Sequence, residues 1–229
     1  MNQTKSLTPY SSRLHRIFRI FVMLLTPVMI VLTSVQALMT PVFLPFEYNM
    51  PNFPADGYGF TLSDRLYWSR IALDYLLNDE GIEFLGDLRF EDGSPVFNER
   101  ELRHMVDVKN AIQAALKVWI ASLVLLVGFG IWAWRGGWMR EFRTGVAGGG
   151  FLTVALVAAI LLIVLMSFGV FFVAFHNVFF EAGTWMFNYS DTLIRLFPER
   201  FWRDVFIYVG LISAGLGLLV GFLVRPRRS

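Results

Sequence analysis

The sequence predicts an all-α membrane protein. It reads as a four-transmembrane-helix bundle with a small extracytoplasmic domain, helices plus a short hairpin, between spans one and two. Three observations carry this expectation. The 229 residues are 55% hydrophobic, with a mean hydropathy of +0.54, above the roughly 45–50% apolar content of soluble domains. Four runs supply the about 20 apolar residues that a bilayer core needs. The one long hydrophilic stretch falls between the first and second of them. A net charge of +2 gives no reason to expect nucleic acid. The absence of cysteine excludes disulfides, thiolate metal sites, cysteine nucleophiles and lipidation at cysteine.

The spans fall at residues 17–39, 111–134, 149–175 and 205–224. Ten of the 20 lysines and arginines occupy three short segments: Lys5, Arg13, Arg16 and Arg19; Arg135, Arg140 and Arg143; and Arg225, Arg227 and Arg228. Only Glu141 opposes them there. The positive-inside rule then makes residues 1–16, 135–148 and 225–229 cytoplasmic, and residues 40–110 and 176–204 extracytoplasmic. The expected location is the bacterial cytoplasmic membrane. A cleaved signal peptide is disfavoured, because the first run exceeds the roughly 7–15 residues of such an apolar region. Pro27 is expected to kink span one.

The first outer loop, residues 41–110, holds 13 acids and six bases. Its proline-rich start, residues 41–54, predicts an extended strap anchored by Phe43, Phe46 and Phe53. Ser63 fits an N-cap for a helix over residues 64–77, with Leu66, Tyr67, Ile71, Tyr75 and Leu76 on its apolar face. Residues 88–97 read as a hairpin around Asp92-Gly93. Asn98 and Glu101 match a capping box for a helix that runs into span two. On it His104 and Asp107 are i, i+3 neighbours, so Asp107 is expected to orient the imidazole. In the second outer loop, His176 follows span three. Trp185, Phe187, Tyr189, Phe197, Phe201 and Trp202 suit an interfacial aromatic belt. Ser190 offers a helix start, and Arg195 suits a phosphate or an ion pair with Glu199.

His15 lies among the cytoplasmic basic residues. The other two histidines flank spans two and three, which a short inner loop makes antiparallel neighbours. His104 and His176 are therefore expected to converge as general base and general acid. Neither G-x-S-x-G nor H-E-x-x-H occurs, and Ser63, Ser69, Ser94 and Ser190 carry no nucleophile signature. The substrate is then expected to supply its own nucleophile.

Several stretches resemble one family. They are Tyr48-Asn49, the Arg103–Lys109 run RHMVDVK, the Phe175–Phe180 run FHNVFF, Trp185, and Ser190-Asp191-Thr192-Leu193. With the four spans they resemble the bacterial lipoprotein intramolecular transacylases, the Lit family, over most of the length. The resemblance implies transfer of the sn-2 acyl chain of a diacylglyceryl lipoprotein to the α-amino group of its own N-terminal cysteine, giving a lyso-form lipoprotein. It implies no cofactor or metal. The expected partners are diacylglyceryl-modified lipoproteins and membrane phospholipids. The expected catalytic residues are His104, His176 and Asp107. The expected substrate-binding residues are Tyr48, Asn49, Trp185, Asp191 and Arg195, with Tyr48 and Asn49 as donors to the ester carbonyl. Two alternatives stand beside this reading. One is a metal-dependent membrane hydrolase with zinc on His104, Asp107 and His176. The other is a non-catalytic membrane scaffold. A transporter is disfavoured, since Lys117 is the one intramembrane charge candidate.

Overall fold

The structure, a computed structural model, describes residues 9–226, with side chains from Arg13 onward. Lys5, Arg227 and Arg228 lie outside the described residues. The described chain is helical: α1 Pro9–Leu38, α2 Phe43–Tyr48, α3 Leu62–Leu77, α4 Glu83–Gly86, α5 Glu99–Gly136, α6 Met139–Met166, α7 Phe168–Phe179, α8 Thr192–Leu196 and α9 Glu199–Leu223. Four segments, Arg13–Leu38, α5, α6 and α9, are long and apolar enough to cross a membrane. The third apolar run, 149–175, is not one helix. Ser167 leaves the helical region at φ −160°, ψ 85°, and α7 starts after it. Ser167 and Gly169 flank this break, at the kind of Ser/Gly site where long helices are interrupted. α5 has 38 residues, or about 57 Å at 1.5 Å per residue. Its first turns, residues 99–110, carry six charged side chains and lie ahead of its apolar run.

The chain divides into two compact units. The first comprises Met1–Ser34, Val118–Ile160 and Val209–Ser229. Its helices meet through glycine. A Cβ on Gly150 would lie 2.5 Å from the Gly217 carbonyl oxygen and 2.8 Å from the Gly221 nitrogen. A Cβ on Gly149 would lie 2.7 Å from the carbonyl oxygen of Met23. That is the carbonyl from which Pro27 withholds a helical N–H. Gly145-x-x-x-Gly149 and Gly217-x-x-x-Gly221 are thus small-residue packing faces. Side-chain bonds supplement them: Ser213 to Ser34 at 2.9 Å, and the Trp119 indole to Thr33 at 3.0 Å. His15 stacks on Trp138 with ring centroids 5.3 Å apart.

The second unit comprises Val35–Lys117 and Leu161–Tyr208. One core joins Ala72, Tyr75, Leu85, Val96, Phe97, Met105, Leu193 and Leu196. A smaller one joins Phe43, Leu44, Tyr48 and Phe201. Several local expectations change here. The proline-rich start is not wholly extended, because Pro45 sits in the first turn of α2, where its missing N–H costs nothing. Phe43 is buried and Phe53 packs on Tyr48, leaving Phe46 exposed. Thr61, not Ser63, caps α3, in a reciprocal box with Asp64. α3 buries Arg65, Ser69, Ala72 and Tyr75 and exposes Tyr67, since Arg65 reaches the Pro54 carbonyl at 2.6 Å. The hairpin is reduced to one antiparallel bridge, Arg89 to Pro95, around Gly93 at φ 82°. Phe187, Phe197 and Phe201 pack inward, and Tyr189 stays exposed.

The glycine contacts generate a test. Gly150→Ala meets backbone that cannot rotate away and should lower the detergent Tm, by a cost of about 1–3 kcal/mol. Gly128→Ala, with nothing within 4 Å of the added Cβ, is the control and should not lower Tm, since alanine is the better helix former. Equal Tm values for the two variants contradict the close approach.

Candidate active site

His104 occupies the second turn of α5 and His176 the last turns of α7. Each element brings its histidine to the same place for a local reason. The start of α5 is fixed by the expected capping box: Glu101 N donates to Asn98 Oδ1 at 3.1 Å, and Asn98 N donates to Glu101 Oε2 at 2.8 Å. The break at Ser167 starts a fresh helix whose final turn carries His176. The two rings lie 6.3 Å apart between centroids, 24° from parallel, and both residues are buried. The expected convergence of His104 and His176 is realised.

Aromatic rings enclose the pair. Phe180 touches both, at 5.0 Å from His104 and 5.5 Å from His176. Phe187 packs edge-on against His104 at 5.4 Å. Phe172 and Trp185 flank His176 at 4.0 and 4.7 Å. Such a cage removes water, so the charged imidazolium is disfavoured. Burial, and next the charge of His176, push His104 down to about 4. Burial also pushes His176 down, opposed by a bond to the Phe172 carbonyl. That bond joins His176 Nδ1 to the Phe172 oxygen at 2.8 Å. A carbonyl can only accept, so the proton sits on Nδ1 and the Nε2 lone pair is free. His104 Nδ1 and Trp185 Nε1 are both buried and have no partner. A buried polar atom left unpaired costs about 1–3 kcal/mol, and Glu47, Arg65 Nε and Arg100 Nε share this condition.

The remaining expected residues are placed as follows. Asp107 is exposed and does not bond His104. The imidazole has turned into the cage, where a following carboxylate would lose its hydration. His104, Asp107 and His176 accordingly do not form a three-ligand group. The Tyr48 hydroxyl is buried and donates to the Leu196 carbonyl at 2.8 Å. Asn49 is exposed and its amide returns to the Pro45 carbonyl at 2.7 Å. Asp191, the N-cap residue of α8, accepts from Asn188 N at 2.8 Å and faces Arg100 at 3.4 Å. Arg195 pairs with Asp56, not Glu199, at 3.0 and 3.2 Å, and stacks on Phe60 at 3.5 Å. Burial alone would raise the Asp56 carboxyl. Its bonds to Arg195 and to the Phe60 and Tyr58 N–H groups hold it below the usual carboxylate range.

Three residues outside the expected catalytic and substrate-binding set are buried in the second unit. The second carboxylate oxygen of Glu101 accepts from Leu193 N at 2.6 Å, tying the His104 helix to α8. The capping box signals the first half of this arrangement; the second half joins residues 92 apart. Lys109 is buried and donates to Asn78 Oδ1 at 3.0 Å and to the Glu80 carbonyl at 2.6 Å, with its ammonium over Tyr75. Glu47 is fully buried at the end of α2, and burial, then the charge of Asp204, push it up to about 7.

These shifts give the fold a signed pH dependence. His104 binds fewer protons folded than unfolded between about 6.5 and 4, so its contribution falls as pH drops through that window. Glu47 binds more protons folded, so its contribution falls as pH rises from 4.5 through about 7. Glu47→Gln should therefore raise Tm at high pH and have a much smaller effect in mild acid. A parallel shift under both conditions contradicts the buried, protonated carboxyl.

The comparisons with known proteins agree with this architecture. The family model of the lipoprotein intramolecular transacylase Lit matches residues 20–202. A protein of Aquifex aeolicus (strain VF5), described as uncharacterized, is 31% identical over 187 residues, 79% of this chain and 80% of that protein. The fold is similar to the membrane integral lipoprotein intramolecular transacylase Lit from Bacillus cereus, at TM-score 0.73 and 20% identity over 93% of this chain and 94% of that one. A form of that protein with a histidine-to-alanine mutation gives TM-score 0.71 and 22% identity over 94% of each chain. With the family model covering most of its length and a relative above 30% identity, the chain is a multi-pass membrane protein that belongs to the Lit family of lipoprotein intramolecular transacylases.

Proposed function

We propose that this protein moves the sn-2 acyl chain of a diacylglyceryl lipoprotein to the α-amino group of that lipoprotein's own N-terminal cysteine, at the outer face of the membrane. The observation that carries the reading is the pair of neutral imidazoles in an aromatic, water-poor cage, one with its tautomer set by a carbonyl. The ten clustered basic residues support a topology with both chain termini in the cytoplasm.

The substrate amine is the nucleophile. With an α-amino pKa of about 7.7–8.0, an appreciable fraction is unprotonated near neutral pH. Its nitrogen attacks the ester carbonyl carbon, a C–N bond forms, and the carbonyl oxygen takes the negative charge. His176 Nε2 takes the ammonium proton. Its Nδ1–H bond to Phe172 holds the ring and eases the positive charge that develops. Collapse of the intermediate breaks the C–O bond, and the same proton passes from His176 to the departing glyceryl oxygen. An amide replaces an ester and no water is consumed. Attack within one tethered molecule replaces a bimolecular encounter.

His104 serves as a neutral donor. Burial holds it uncharged, so it stabilises the oxyanion through an N–H. The buried Trp185 indole N–H is the second donor. Asp107, exposed on the same helix, is left to the approach of the substrate amine. Asp191 and Arg195 support the substrate side by fixing α8 and residues 56–60. Tyr48 and Asn49 act through α2 and the Leu196 carbonyl. No cofactor enters the scheme. The cage also favours aminolysis over hydrolysis, because it excludes the competing nucleophile.

Mass spectrometry of lipoprotein N-termini from cells that express the chain tests the reaction. The expected product carries an amide-linked acyl group on cysteine and a free glyceryl hydroxyl. His104→Ala and His176→Ala should each abolish it while the protein stays in the membrane. Trp185→Phe keeps the ring and loses the donor, so it should lower kcat on the order of a hundredfold with KM little changed. Near-parental activity in either histidine variant contradicts the pair, and a free fatty acid in place of the amide contradicts the transfer.

A further inference from the structure

A second amphipathic feature lies within the first unit, independent of the histidines. Arg140, Thr144, Ala147, Gly148 and Phe151 recur at helical spacing along α6. With Arg225, just past the end of α9, they line a cavity of about 430 Å³. Its mouth is cationic. Among the described residues no carboxylate lines it, and neither Arg140 nor Arg225 forms an ion pair. The remaining α6 lining, Ala147, Gly148 and Phe151, is apolar.

The wall is held by its own bonds. Arg143, the neighbouring cation, is committed elsewhere: its guanidinium donates to the Val224 carbonyl at 2.9 Å and the Arg225 carbonyl at 3.4 Å. These bonds hold the two residues just past α9 and anchor the backbone from which Arg225 projects. The Thr144 hydroxyl donates to the Arg140 carbonyl at 2.7 Å, tying it to the helix backbone. Two free guanidinium groups beside an apolar trench suit a ligand with an anionic head and a hydrocarbon tail. A guanidinium matches phosphate through paired donors. A free phosphate ion would leave the trench unfilled.

We propose that this cavity seats an anionic phospholipid. Arg140 and Arg225 clamp the phosphate, and the glycerol and first methylenes lie against Ala147, Gly148 and Phe151. Basic pockets between membrane helices have the chemistry for such headgroups. The bound lipid bridges α6 and the end of α9, which Gly150 and Gly217 already bring together.

Native mass spectrometry of the full chain, released from detergent with phosphatidylglycerol or phosphatidylethanolamine, tests this. The parent protein should retain phosphatidylglycerol preferentially. Arg140→Gln combined with Arg225→Gln should weaken that retention on the order of tenfold. Arg13→Gln combined with Arg135→Gln removes the same charge outside the cavity and should leave retention unchanged. Millimolar inorganic phosphate should not displace the lipid. Equal losses in both double variants mean diffuse surface charge and overturn the site. Equal retention of the two lipids, or displacement by inorganic phosphate, overturns the anionic lipid as its occupant. Should the cavity double variant not fold, Arg140→Gln alone against Arg135→Gln makes the same comparison.

Discussion

His176 donates from Nδ1 to the carbonyl of Phe172, one turn back in its own helix, and the chemistry proposed for the site depends on that contact. A neutral imidazole carries one proton, and the nitrogen that holds it determines which nitrogen can act as base. Metal sites and hydrolase triads use a carboxylate for this orientation. Here a main-chain carbonyl does the work, so no negative charge has to be buried beside the ring. That choice matters in a cage of Phe172, Phe180, Phe187 and Trp185. A carboxylate there would lose its hydration and raise the cost of the site. The exposed position of Asp107 is consistent with the same constraint.

A rigid imidazole is useful only if its partner is held as firmly. The second unit supplies that rigidity with polar contacts that are buried and paired. Glu101 uses one oxygen for its own helix start and the other for α8. Lys109 and Tyr48 each satisfy main-chain carbonyls in distant segments. Arg195 and Asp56 form an ion pair whose side chains are 12% and 2% exposed, and breaking one partner of such a pair leaves an uncompensated buried charge. Against this background the atoms left unpaired, His104 Nδ1 and Trp185 Nε1, stand out. Glu47, Arg65 Nε and Arg100 Nε are also unpaired in this unit, but His104 Nδ1 and Trp185 Nε1 belong to rings of the aromatic cage.

Much of this was legible in the chain, and the limits have physical causes. Apolar run length found the four long helices, and residue type at a span end found His104 and His176. The capping box at Asn98 and Glu101 was readable because both partners lie within one turn. Contacts between residues far apart in sequence were not readable. Spacing cannot place Leu193 N on Glu101, or Asp56 on Arg195. Helical spacing suggested Asp107 for His104, but spacing brings two side chains within reach without deciding which way each turns; burial decided that. Proline density misread α2, because Pro45 falls in a first turn, where proline is tolerated. The break at Ser167 was hidden inside an unbroken apolar run. The glycine faces at Gly145/Gly149 and Gly217/Gly221 gain meaning only from the close helix approach that the structure shows.

The central claim is that His176 is neutral and protonated at Nδ1, leaving Nε2 to take the proton of the substrate amine. Nitrogen-15 NMR of histidine-labelled protein, assigned with His15→Ala, His104→Ala and His176→Ala samples, reads the protonation of each ring nitrogen directly. At neutral pH the account predicts a protonated Nδ1 and an unprotonated Nε2 at His176. A His176 protonated at Nε2 alone, or an imidazolium, would contradict it.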